Sequence, residues 1–270
     1  MEAFERVARA AVDEASAMLR ATWREAKAVR HKGAVDIVTE TDHAIEAAIV
    51  ARLQHAFPDH LMIAEESSEL ATLAAPPSDR HCWYLDPLDG TTNFAHAYPQ
   101  FAVSLALAIG DRLLFGIVHD PIRDETFVAN RGYGATLNGA PIEVSDVRTL
   151  DQALVATGFP YDRREQLESY IGFFADFVRR TQGVRRNGSA ALDLCYVACG
   201  RLDGFWEWKL RPWDTAAGVL IALESRGQVS DFRGSPFDLF GPQTLATNGH
   251  LHAEMLEVLR ARLAAPPVRI

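Results

Sequence analysis

The chain predicts a layered sandwich of the α/β or α+β class, and three observations carry that prediction. Amphipathic helical stretches stand at both ends of the sequence. Three short apolar segments separated by turn residues mark successive antiparallel strands in the middle. No internal repeat, linker or low-complexity tract interrupts the 270 residues. Groups of helices alternating with groups of strands bury their apolar faces only by stacking in layers.

The elements follow in order. Residues 2–25 place apolar side chains at 4, 7, 8, 11, 12, 15, 18 and 19, the stripe of an amphipathic helix. A second helix starts near Thr41 or Asp42, with capping residues over Thr39–Asp42, and ends before Pro58. Leu61–Ala64 reads as a short buried strand leading into Glu65 and Glu66, and His81–Leu85 as another. Phe101–Ile109, Leu113–Val118 and Glu125–Ala129 read as antiparallel strands, turning at Gly110-Asp111 and Asp120-Pro121. Gly132, Gly134 and Asn138-Gly139 punctuate further hairpins. A second half opens near Leu150, with strands at 153–157, 205–208 and 245–247 and helices at 163–181, 189–199, 214–225 and 251–264. The reading is one domain over residues 1–270, made of two intimate subdomains near 1–149 and 150–270.

Composition narrows the function. With 27 basic against 36 acidic residues the formal charge is −9, which argues against a general nucleic-acid surface. A protein this acidic needs bound cations if it handles anionic phosphates. Cys82, Cys195 and Cys199 have no metal-ligand spacing and read as free thiols, which suits a reducing compartment. The acidic start Met1–Glu5 does not resemble a signal peptide, and Phe101–Ile109 is too short to span a bilayer. The expected location is the cytoplasm, with no membrane partner.

The densest chemical signal is Asp86-Pro87-Leu88-Asp89-Gly90-Thr91-Thr92-Asn93. Pro87 biases Asp86 away from the helical region and ends strand pairing. Two carboxylates three residues apart, flanking a backbone carbonyl, suit a hard divalent cation with oxygen ligands. Gly90 permits a close backbone approach, and the amides that follow would face an anion if they open a helix. The same octapeptide would also serve as a capped turn. Elsewhere, Glu65 and Glu66 follow an apolar strand, carboxylates flank the short strand in Asp36–Asp42, and Asp214 opens an apolar helix. Singly these read as a solvated loop or a plain N-cap.

Taken in chain order, Asp36–Asp42, Ile63–Ser67, Trp83–Phe94, Arg186–Ala191 and Trp213–Gly218 resemble the inositol monophosphatase family, within the lithium-sensitive, magnesium-dependent phosphatase superfamily. The resemblance covers most of the chain. It implies an α-β-α-β-α sandwich of the sugar-phosphatase kind, with an antiparallel-rich first sheet and a smaller second one, in a homodimer. It implies two to three Mg²⁺ ions. The first would be held by Glu65, Asp86 and the Leu88 carbonyl, the second by Asp86, Asp89 and Asp214, and a weaker third by Glu65 and water. Thr91, hydrogen-bonded to Asp42, would orient and deprotonate the attacking water, with Glu65 also counted among the catalytic groups. The Gly90 and Thr91 amides would hold the phosphate. Gly188, Ser189, Ala190, Glu207 and Asp214 would line the substrate side, Glu207 contacting polyol hydroxyls. Ala64 stands where many relatives have glycine, and Glu224–Gly227 departs from a common Glu-Ala-Gly-Gly.

Physical chemistry agrees with a metal site. Two carboxylates about 4 Å apart repel by ~4 kcal/mol at an effective dielectric near 20. Four in one cleft call for cations, and an all-oxygen donor set favours magnesium. The expected reaction is hydrolysis of an inositol monophosphate to inositol and phosphate. Histidinol phosphate, fructose 1,6-bisphosphate and a nucleotide 3′-phosphate are alternative substrates. A regulatory role, binding a macromolecule such as RNA polymerase, is an alternative of another class. Lys32, His43, Trp206 and Trp208 read as solvated or packing residues.

Overall fold

The computed structural model describes residues 2–25, 29–31, 37–68, 74–266 and 268. Lys32 and Asp36 lie outside the described residues. Five layers build the chain, in the order helices, sheet, helices, sheet, helices.

The outer helical layer is α1 (Glu2–Thr22) and α2 (Glu40–Ala56). α1 buries Ala8, Ala11, Val12, Ala15 and Leu19, the stripe read from the sequence. Between them β1 (Val29–His31) and β2 (Ile37–Thr39) pair antiparallel. The first sheet has seven strands in sequence order: β3 (Leu61–Ala64), β4 (His81–Asp89), β5 (Ala102–Ile109), β6 (Arg112–Asp120), β7 (Glu125–Asn130), β8 (Ala135–Leu137) and β9 (Ala140–Pro141). β3 and β4 run parallel, and every later pair is antiparallel.

The two faces of this sheet differ in side-chain size, which decides what can pack on them. Trp83, Leu85, Val103, Leu105 and Leu107 meet α1 and α2, while Cys82, Tyr84, Ala102, Ala106 and Ala108 point the other way. That alternation is the period of two expected of strands buried on both faces. The alanine face admits the middle helical layer, α5 (Ala190–Ala198) and α6 (Pro212–Glu224), whose own alanines lie against it.

Beyond them lies a five-stranded sheet, in the order β11 (Gly183–Arg185), β10 (Leu154–Thr157), β12 (Gly204–Trp208), β14 (Gln243–Thr247), β13 (Gln228–Ser230). β10 runs parallel to both neighbours, and β14 is antiparallel to both of its own. α4 (Leu167–Val178) and α7 (His252–Ala264) close the last layer, where Trp206 is buried and stacks on Phe177 at 3.9 Å. Among the described residues no helix is long and apolar enough to cross a membrane.

Two local readings needed correction, and two short strands went unread. The helix expected over 163–181 is confined to Leu167–Val178. The short strands β11 and β13 carry too few apolar residues to announce themselves, and exist because the second sheet needs edges. Pro87 does not end β4. Pairing with β5 continues from Asp86↔Ser104 to Asp89↔Ala102 across a bulge. Proline cannot donate to the ladder, so a bulge absorbs it and re-aims the side chains around it.

Candidate active site

The chemistry-bearing residues meet where the ends of β3 and β4 face the N-termini of α2, α3 (Thr91–Ala95), α5 and α6. Glu65 follows β3, its amide bonded to the Leu85 carbonyl at 3.1 Å. The β4 bulge presents Asp86 and Asp89, respectively 2% and 8% exposed. Asp86 accepts the Leu88 amide at 2.9 Å. Its ladder partner Ser104 donates to the Trp213 carbonyl at 3.2 Å, which fixes the start of α6 beside β4. One residue on, Asp214 accepts the Arg211 amide at 2.7 Å. Asp214 is therefore not the N-cap itself, which is Arg211, but caps α6 from its third position by accepting the Arg211 amide.

Gly90 turns the chain from β4 into α3 with φ of 102°, and a β-carbon there would lie 2.9 Å from the Gln100 carbonyl oxygen. Both facts require glycine. The turn brings the Thr91 hydroxyl within 3.1 Å of Asp42 Oδ1 and of the Leu88 carbonyl. One proton serves two acceptors, so the hydroxyl donates to either. Asp42 is fully buried at the third position of α2, and its other oxygen accepts from the Thr39 amide and hydroxyl.

A second set of bonds joins the two halves of the molecule. Asp89 accepts Ser189 Oγ at 2.6 Å, the Ala191 amide at 2.7 Å and the Ala190 amide at 3.3 Å. The loop ahead of α5 is tied by Asn93 Nδ2, which donates to the carbonyls of Asn187 (2.8 Å) and Gly188 (3.4 Å). Asn187 Nδ2 in turn donates to the buried Asp193 at 2.6 Å. Asn187 and Asp193 were not singled out from the sequence. The available signal was an aspartate four residues after a helix cap, on a face otherwise apolar.

Electrostatics mark the same place. Burial pushes the Asp86 carboxyl well above its usual range, and the charges of Glu65, Asp89 and Asp214 push it further. Burial raises Asp89 to about 6, against the pull of its Ser189, Ala191 and Ala190 hydrogen bonds. Burial raises Asp214 to about 7, opposed by the Arg211 amide and aided by Asp89. Asp193 rises to about 8 and Glu207 well above its usual range, both chiefly by burial. Asp42 is also raised by burial, although hydrogen bonds from Thr39 and Thr91 oppose it.

Glu207 shares the inward face of β12 with Phe205; the charge of Arg186 opposes its rise, and those of Asp193, Asp214 and Asp89 add to it. Gly188, Ser189 and Ala190 stand at the start of α5, tied to Asn93 and Asp89. Thus every residue named from the sequence for this site lies around one cleft. Among the described residues, no three His, Cys, Asp or Glu side chains are closed into a ready cage for an ion. The carboxylates instead hold the local hydrogen bonds above. A separate open groove of about 660 Å³, lined by Thr149, Asp151, Arg179, Arg180, Glu254 and Glu257, lies on the outer α4/α7 layer and contains none of these residues.

Helix N-termini gathered around buried carboxylates, inside a five-layer sandwich, define a phosphatase-type cleft in a layered α/β protein. The chain belongs to the inositol monophosphatase family, whose model matches residues 1–264. It is 46% identical over 256 residues to an inositol-1-monophosphatase of Synechocystis sp., covering 94% of this chain and 88% of that protein. It is 44% identical over 241 residues to the Nus factor SuhB of Pseudomonas aeruginosa, covering 88% of each. Its fold matches the inositol monophosphatase of Anabaena (Nostoc) sp. with a TM-score of 0.87 at 40% identity, over 99% of this chain and 98% of that one. The expected family and layered fold are thereby borne out.

Proposed function

We propose that this phosphatase hydrolyses a polyol monophosphate, inositol monophosphate foremost, with two to three Mg²⁺ ions held by Glu65, Asp86, the Leu88 carbonyl, Asp89 and Asp214. The observation that carries the reading is the Asp86, Asp89 and Asp214 group. Beyond burial, the charges of Glu65, Asp89 and Asp214 raise Asp86, and that of Asp89 raises Asp214, against the opposing charges of Arg186 at Asp89 and Arg211 at Asp214. The donor set is all oxygen, which fits a hard divalent cation. When bound, such ions neutralise phosphate charge and make water a better nucleophile.

The protein's own groups do the rest. Asp42, with its proton affinity raised by burial, takes the Thr91 hydroxyl proton as a hydrogen bond. Thr91 Oγ then offers its lone pairs to a water, orienting it and passing its proton toward Asp42. Gly90 aims the first amides of α3, which have no partner within the helix, at the phosphate. Ser189 gives its proton to Asp89 and accepts the Leu192 amide as the cap of α5, so toward substrate it offers one remaining lone pair, beside Gly188 and Ala190. Glu207 accepts no hydrogen bond from the described residues. Its role is to accept those of ring hydroxyls.

The test is Glu207→Gln, which removes the charge and one acceptor at a cost of roughly 1–3 kcal/mol. Efficiency on inositol 1-phosphate should fall about tenfold to a hundredfold, with hydrolysis of an aryl phosphate nearly unchanged. Equal losses on both would assign Glu207 to the fold. The 44% identity to a Nus factor supports a second, regulatory reading, which stoichiometric capture of RNA polymerase by the purified chain would favour. A cytoplasmic homodimer completes the proposal, and a solution mass near twice 29.8 kDa checks the dimer.

A further inference from the structure

Gly158 follows β10 directly, and β10 lies beside β12 in parallel register with Thr157 opposite Trp206. A β-carbon on Gly158 would fall 2.1 Å from both Glu207 carboxylate oxygens and 2.2 Å from the carbon between them. The carboxylate thus lies flat over the bare α-carbon. Gly158 is absent from the residues with positive φ, so its backbone conformation is one that any residue adopts. Space alone demands glycine there.

The backbone on both sides is fixed. Thr157 Oγ donates to the Trp206 carbonyl at 2.6 Å and lies 3.2 Å from the Gly158 carbonyl. Glu207 itself is paired with Thr244 on β14. If a side chain were added at 158, the strands would hold and the carboxylate would move, because it is the far end of a flexible chain with three torsions.

We propose that Gly158 is a specificity-determining residue of this cleft. By having no side chain it seats the Glu207 carboxylate where polyol hydroxyls reach it. This rests on the reading of Glu207 as a hydroxyl acceptor. A shift of about 1 Å in a positioning group can cost about a hundredfold. The loss here is confined to substrates bearing ring hydroxyls, because the three atoms nearest to a β-carbon at 158 all belong to the Glu207 carboxylate.

The experiment compares Gly158→Ala, Glu207→Gln and Gly158→Ala/Glu207→Gln on inositol 1-phosphate and 4-nitrophenyl phosphate, with magnesium present. Gly158→Ala should lower kcat/KM for inositol 1-phosphate at least tenfold and leave the aryl ester within about twofold. The double variant should be no worse than Glu207→Gln alone, since both substitutions remove the same contact. Additive losses would overturn the inference, as would a polyol loss in Glu207→Gln with none in Gly158→Ala; the reading of Glu207 would survive both. No loss in Glu207→Gln would overturn that reading and the inference with it. Thermal melting covers a folding defect. Any drop in Gly158→Ala should be restored by adding Glu207→Ala, which deletes the group that the methyl would strike. A drop that Glu207→Ala leaves unchanged would place the clash elsewhere and overturn the inference.

Discussion

Asp214→Asn should make the metal-free protein more stable above neutral pH while abolishing most of its turnover. Asp214 accepts the Arg211 amide with one oxygen, a bond that an asparagine oxygen keeps, so the helix cap survives. The variant loses only the charge. Burial raises the Asp214 carboxyl from 3.8 to about 7, so the folded, metal-free protein holds the proton more tightly than the unfolded chain. Its contribution to stability is therefore complete below about pH 4 and is lost as pH climbs through about 7. A shift of that size corresponds to ~4 kcal/mol. Asp214 is partly open to the cleft and shares protons with Asp86, which reduces the effect to roughly 2 kcal/mol. For a chain of this length that is about 3–4 °C in Tm. Melting curves from pH 4.5 to 8.5 in chelator, for wild type and Asp214→Asn, read it directly. The wild type should fall behind the variant as pH rises. Magnesium should reverse the order at pH 8, because the variant lacks one charged ligand of the second ion and holds that ion more weakly. Parallel curves at all pH values, with or without magnesium, would refute the electrostatic argument and leave Asp214 as a cap.

Three shorter expectations accompany it. Chelator-stripped enzyme should lose phosphatase activity and regain it with Mg²⁺, whereas Ca²⁺, with its looser geometry, should restore little; full activity in the stripped protein would sink the metal mechanism. Asp42→Asn retains an acceptor for the Thr39 amide but cannot take a proton, so kcat should fall by about 10²–10⁴ with little change in KM. Thr91→Ser should keep most of the rate and Thr91→Val should not; equal rates in the two would remove the hydroxyl from the water-orienting role.

Which features were readable in the chain depended on the range over which they are encoded. Helical stripes and alternating strands depend on neighbours a few residues apart, so α1, α2 and β3 to β7 stand close to where periodicity puts them. The motif residues were readable because metal and phosphate chemistry restricts residue type and spacing within one turn, as at Asp86, Asp89, Gly90 and Thr91. A capping aspartate and a ligand aspartate look alike in one dimension. Asp214 separates from the ordinary cap only because Ser104 on β5 pins α6 next to Asp86.

Other features had no local trace. The edge strands β11 and β13 are strands only because β10 and β14 offer them open ladders. Pro87, read as a strand terminator, sits inside a bulge because the pairing regained beyond it at Asp89↔Ala102 outweighs one missing donor. The Asn93–Asn187 tie and the Gly158–Glu207 contact join residues about 50 to 100 positions apart. The sequence by itself determined the periodic helices and strands and the acidic chemistry, since hydrophobic period and ligand type are short-range constraints, and the order of the layers came from the family resemblance that those motifs carry. Tertiary structure alone decided how deeply those carboxylates are buried and how tightly they are held. Burial and mutual repulsion are properties of packed neighbours, and only folding brings those neighbours together.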